Sequence, residues 1–229
     1  MNRRFPMQST FRRRRPLMLV FAIVAIFGAL VVSGCGSDDE PTSSSSGNAV
    51  DLAFVQEMVT HHNSAVAMAT VAQERTTRKE IKRLADDIVE SQTAEIKQMQ
   101  GIAKRLEADG VKAGELGVPE AMMGMSGDET MLEMADPFDR EFIDMMVPHH
   151  QGAIVMARAV LKNGESAEVK ELAQAIVTAQ SREIGEMNSW RTTWYGAASP
   201  AGGVPEDTGE TGGSMKDGGT EGSSGGHSM

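Results

Sequence analysis

Cysteine occurs once in the 229 residues, at position 35, so no disulfide can form within one chain. Aromatic residues make up only 4%, and runs of alternating apolar and polar residues are missing, which argues against β-structure. Within residues 50–196 there is no cysteine nucleophile, no Gly-x-Ser-x-Gly elbow and no phosphate loop. Basic residues are also scarce once the N-terminus is set aside. Residues 1–34 hold six arginines and no acid, so the remainder carries 16 basic against 32 acidic side chains, a net charge of −16. Such a surface repels nucleic acid and attracts cations. No basic stripe with interleaved aromatics offsets it, so no nucleic-acid partner is expected.

The arginines belong to a recognisable N-terminal pattern. Arg3, Arg4 and Arg12–Arg15 precede an apolar stretch, Leu17–Val32, that leads into Val32-Ser33-Gly34-Cys35. A basic region, an apolar run and a small-residue site read as a secretory signal. About 16 apolar residues are short for a spanning helix, which needs ~20. The Val-Ser-Gly-Cys segment resembles a bacterial lipobox, which implies lipidation of Cys35 after removal of residues 1–34. The expected product is tethered to the outer face of the cell membrane through that lipid alone. Residues 35–49 then form a small, polar tether. Residues 197–229, rich in Gly, Ser and acid, are expected to be disordered. One folded domain, 50–196, remains.

An internal repeat organises that domain. A shift of 88 residues aligns 51–99 with 139–187 without a gap, and 19 of the 49 positions are identical. Within the first copy, positions 54, 58, 61, 65, 68 and 72 lie on one helix face, and 81, 85, 88, 92, 95, 99, 102 and 106 on another. The second copy repeats both stripes. The spacing predicts two helical hairpins, about 51–106 and 139–195, with turns near 75–77 and 162–164 and with Asp51 and Asp139 as plausible N-caps. The expected fold is all-α, a four-helix bundle. The link of residues 107–137 is long enough to run the bundle's length, which permits a ferritin-like crossover. A short helix is expected near 128–135.

The chemistry is read from what interrupts the apolar stripes. All four histidines of the domain fall in two pairs, His61-His62 and His149-His150. Gln92, Glu95, Gln180 and Glu183 interrupt the partner helices. With a fold point near 76–77, His61 is expected level with Gln92 and Met58 level with Glu95, and likewise His149 with Gln180 and Met146 with Glu183. His61, His62, His149, His150, Met58, Met146, Glu95 and Glu183 are therefore candidate metal ligands. Gln92, Gln180, Met68, Met156, Met99 and Met187 form a candidate surrounding shell. Imidazole with thioether points to copper. Imidazole with carboxylate on bundle helices points instead to iron or manganese. A third reading needs no metal: the same residues can form a buried hydrogen-bond network. Met122, Met123, Met125, Met131 and Met134 lie in the link, where core filling explains them less well. Pro148 removes one helical hydrogen bond just before His149 and suggests a kink.

The segments Met58-Val59-Thr60-His61-His62-Asn63-Ser64-Ala65 and Met146-Val147-Pro148-His149-His150-Gln151-Gly152-Ala153 resemble the bacterial "domain of unknown function 305" family. The resemblance covers roughly residues 50–195 and is closer in the second copy; the first has Asn63-Ser64 in place of Gln-Gly. It implies a secreted, ferritin-like protein with a paired-histidine motif, and some members are linked to copper binding and tolerance. The functions to be weighed are an extracytoplasmic copper-binding lipoprotein, a ferritin-like di-metal oxidase, and a metal-free structural or interaction module. The oxidase reading lacks the Glu-x-x-His ligand pair typical of such bundles.

Overall fold

The computed structural model describes residues 47–125 and 129–207. The expected signal segment, Cys35 and the last residues of the tail lie outside these. Four long helices form the body: α1 (Ala49–Arg75), α2 (Lys79–Ala108), α4 (Phe138–Asn163) and α5 (Ala167–Tyr195), with a short α3 (Glu129–Met134) in the link. The three-residue turn after α1 falls within one residue of the expected place, and the turn after α4, residues 164–166, lies two residues later than expected. Among the described residues there is no strand, and no helix is long and apolar enough to cross a membrane.

Side-chain bonds fix the helix directions. Asn48 at the start of α1 donates to the Asn163 carbonyl at the end of α4, and Thr76 beyond the other end of α1 bonds Asp139 at the start of α4. The two helices therefore run antiparallel. Arg105 and Arg83 of α2 pair with Glu168 and Glu186 of α5, so these also run antiparallel. It follows that α2 and α4 run parallel, and the link between them travels the length of the bundle. This is the crossover four-helix arrangement expected from the sequence.

The aspartates repeated at 51 and 139 do not act as N-caps. Asn48 caps α1 in a capping box whose third residue is Asp51, and Pro137 precedes α4. Asp51 is fully buried and accepts from its own Asn48 amide at 2.8 Å and from the Glu165 and Ser166 amides at 2.9 and 3.0 Å. It thus holds the turn between α4 and α5. Asp139 in return takes the Thr76 hydroxyl and the Arg78 guanidinium of the turn between α1 and α2. Each copy fastens the turn of the other. The donors that Asp51 satisfies are backbone amides, which are costly to leave unpaired when buried.

The apolar core is split in two. One half gathers Phe54, Met58, Met99, Ile102, Met156 and Ile176, with Leu116 and Val118 from the link. The other gathers Met68, Ile88, Phe142, Met146, Ile184 and Met187, with Leu132 of α3. The halves correspond under the 88-residue shift: Met58, Met99 and Met156 on one side answer to Met146, Met187 and Met68 on the other. These six methionines are buried core residues. In the link, Met122, Met125, Met131 and Met134 stand exposed, while Met123 packs on the core.

Helix α4 continues through Pro148 as one element. One boundary moves. The tail does not begin at residue 197, because residues 197–207 fold back on α4 and α5. Arg191 holds Asp144 through two bonds and the Ala197 and Ala198 carbonyls through two more. Ser199 donates its amide to Asn188, Gln151 donates to the Ala201 and Gly203 carbonyls, and Arg158 donates to the Pro205 carbonyl. Composition missed this because the segment is held through its carbonyls, which every residue carries.

Candidate metal centre

Between the two apolar halves lies one polar layer. His61, His62, His149 and His150 are each no more than 2% exposed, with Gln92 and Gln180 at 3%. The rings of His61 and His149 meet across α1 and α4 with centroids 3.9 Å apart. His62 and His150 lie outside this inner pair, each 6.4 Å from its chain neighbour. The layer therefore has approximate twofold symmetry, with its axis between the inner rings.

The register differs by one helical turn from the sequence expectation. His62, not His61, bonds Glu95 at 2.7 Å, and His150, not His149, bonds Glu183 at 2.8 Å. Side chains on a helix lean toward its N-terminus. In an antiparallel hairpin the two helices lean opposite ways, so residues that touch lie further from the turn on α2 than level counting allows. Met58 and Met146 consequently sit in the apolar clusters and not opposite the carboxylates.

The hydrogen bonds fix the tautomers. A carboxylate or carbonyl only accepts, so Nε2–H of His62 donates to Glu95 and Nε2–H of His150 to Glu183. His61 Nε2–H donates to the Met123 carbonyl at 2.8 Å, a partner in the link that no spacing rule singles out. In the neutral form, each of these rings carries its lone pair on Nδ1. Among the described residues all three Nδ1 atoms are buried without a hydrogen-bond partner, as are both nitrogens of His149 and the amide oxygens of Gln92 and Gln180. Burial lowers His61 to about 3, with further lowering from His62 and His150 and partial relief from the Met123 carbonyl. Burial, followed by the other histidines, also pushes His149 well below the usual value. Both inner rings are neutral over the physiological range, the form that coordinates a metal.

The symmetry is broken in two places. Arg182 bonds the second oxygen of Glu183 at 3.1 Å and also reaches Glu186. Its counterpart in the first copy is Ala94, and Glu95 is correspondingly more open, 22% exposed against 7% for Glu183. The link covers His61, but among the described residues it makes no matching bond to His149. Among the described residues no three His, Cys, Asp or Glu side chains converge as a ready-made metal cage. The donors are present and desolvated, and a shared ion requires the rings to close on it.

A family model for a domain of unknown function, DUF305, matches residues 51–191 and again 139–227. Among solved structures, CopM in its Cu(I)-bound form is 35% identical, covers 63% of this chain and 97% of its own, and superposes with a TM-score of 0.55. CopM in its Cu(II)-bound form is 34% identical over the same shares, with a TM-score of 0.56. A DUF305 protein of Streptomyces coelicolor is 26% identical, covering 66% of this chain and 96% of its own, with a TM-score of 0.58. The uncharacterized protein L153 of Acanthamoeba polyphaga mimivirus is 37% identical over 51 residues, 22% of this chain. The match spans about a third of that relative's length, 34%. The duplicated paired-histidine hairpins and the family match over both copies agree, and the chain belongs to the DUF305 family.

Proposed function

We propose that this protein binds copper outside the cell, held to the membrane surface by a lipid on Cys35. The observation that carries the metal reading is the tautomer pattern. Metal-ligating histidines almost always donate their second ring N–H to a carboxylate or a backbone carbonyl. His61, His62 and His150 are anchored in this way through Nε2, with Nδ1 buried and free. Glu95 and Glu183 are thereby assigned to orienting the imidazoles, not to direct ligation. Copper is favoured over iron or manganese because the donors left free are imidazole nitrogens bordered by methionine-rich core. The bundle layer offers one carboxylate per copy, which does not favour a di-iron oxidase. The likeness to CopM in Cu(I)- and Cu(II)-bound forms supports the same choice.

The test is titration of the full chain with Cu(II), and with Cu(I) without oxygen against a competing chelator. Binding tighter than about 1 µM in at least one oxidation state is expected, with Fe(II) and Mn(II) failing to compete. Weaker copper binding in both states favours the metal-free network, to which the His62–Glu95 and His150–Glu183 bonds are equally suited. The anchor is tested separately. Metabolic labelling with a radioactive fatty acid should mark the protein, and Cys35→Ser should remove the label. Undiminished labelling of that variant refutes the lipid site.

A further inference from the structure

The four rings are buried in the bundle, and the described part of the link bonds one of them, His61. There the link crosses as a short strap, Pro119–Met125, containing a 3₁₀ turn at Glu120–Met122 with no buried residue of its own. Its Met123 carbonyl takes the His61 Nε2–H. Its seat on α4 depends on two glycines. A Cβ at Gly152 would collide with the Met123 carbonyl, and a Cβ at Gly124 with the Pro148 carbonyl and the His149 backbone. Gly124 also has φ +70°, where an L side chain is strained. The strap thus lies backbone to backbone on the turn of α4 that carries the inner histidine.

We propose that this strap is the gate of the histidine layer: metal enters and leaves when Pro119–Met125 lifts from α4 and the Met123 carbonyl releases His61. The metal part of this inference rests on the copper reading above. Local opening draws on segments with few buried contacts, whereas parting the helices would disrupt both core halves. Opening the strap breaks the 2.8 Å bond to His61, the backbone contacts at Gly152 and Gly124 and the packing of Met123 on the core, and leaves the helical ladders intact. The strap's exposed Met122 and Met125 put thioethers, which favour Cu(I), on the element that moves.

The gate is tested in the full chain with Gly152→Ala and Gly124→Ala, each of which forces the strap from its seat. Gly185→Ala, where a Cβ meets nothing within 4 Å, is the control. Without metal, carbethoxylation of His61 and His149 by diethyl pyrocarbonate, mapped by mass spectrometry, should quicken by about threefold to tenfold in both strap variants. That is the range set by losing one hydrogen bond from a closed state. The control should match the parent. Copper association and dissociation should both quicken by a similar factor. Unchanged acylation in a variant that keeps its helical spectrum overturns the gate. So does faster acylation with an unchanged copper association rate, the result expected if the strap only orients His61. If both variants lose their helices, the parent decides. His61 acylation in the parent must then run faster than global unfolding allows and be nearly independent of mild denaturant, and acylation that tracks global unfolding overturns the gate. If no form of the chain binds copper, the copper reading fails and the metal-free acylation still decides whether the strap covers the rings.

Discussion

A chain carrying both His61→Ala and His149→Ala keeps its helical spectrum and loses its tight copper sites. The two rings are the inner pair on the approximate axis, so the double change removes both central donors at once. Loss of a group that merely orients a ligand weakens metal sites by ~10–100-fold, so loss of two direct ligands should weaken copper binding by more than about 100-fold. The fold should tolerate the change. His149 faces no acceptor beyond the His61 backbone carbonyl, which lies within the α1 helix, and His61 strands only the Met123 carbonyl. The contrast is His62→Ala with His150→Ala, which strips Glu95 and Glu183 of their buried partners and should cost stability as well as metal. Copper affinity equal to the parent's in the inner-pair variant would make the histidines structural.

Acid should unfold the metal-free protein earlier than its carboxylates alone would. In the folded chain His61 stays neutral down to about 3 because it is buried, and His149 is lowered for the same reason. In the unfolded chain both take up protons near ~6.5. Below that value the unfolded state binds more protons, so their contribution is full above ~6.5 and shrinks as pH falls. Each ring costs about 1.4 kcal/mol per pH unit. From about pH 6.5 to about pH 5 His61 alone removes roughly 2 kcal/mol, and His149 adds to the loss in the same direction, against a typical stability of ~5–15 kcal/mol. Denaturant titrations of the metal-free chain across this window should show that loss, and the inner-pair alanine variant should show far less of it. A flat profile in the parent would mean the rings are protonated in the folded state. Copper binds only the neutral rings, so the loaded protein should resist acid better than the metal-free one.

The fold was legible because the repeat supplied two independent readings of each helix. Phe54 and Phe142, Ile88 and Ile176, and the His-His pairs fall on the same faces in both copies, and the turns lie where both stripes stop. The polar layer was legible for the same reason: histidine, glutamine and glutamate interrupt apolar faces at matching positions. The pairing inside the layer was not. It depends on how far each side chain leans along its helix, which separates His62–Glu95 from His61–Gln92 by one turn. The strap carbonyl over His61 and the carbonyls that hold residues 197–207 left no trace in side-chain pattern. The inward role of Asp51 was hidden by its position, since an aspartate in a first turn looks like a cap whether or not it reaches another turn.

The exchange of aspartates between the copies bears on ancestry. A single hairpin of this kind would have its first-turn carboxylate without a turn to hold and its inner histidine without the ring it meets. Two identical hairpins supply both to each other through an isologous contact, as in a homodimer with twofold symmetry. The present chain is in effect such a dimer made continuous by its link. A true homodimer must make every contact twice, but a fused one need not. Arg182 facing Ala94, and one strap lying over one of two matching histidines, are arrangements that fusion permits. Through them the two sides of a symmetric histidine layer can be given different tasks.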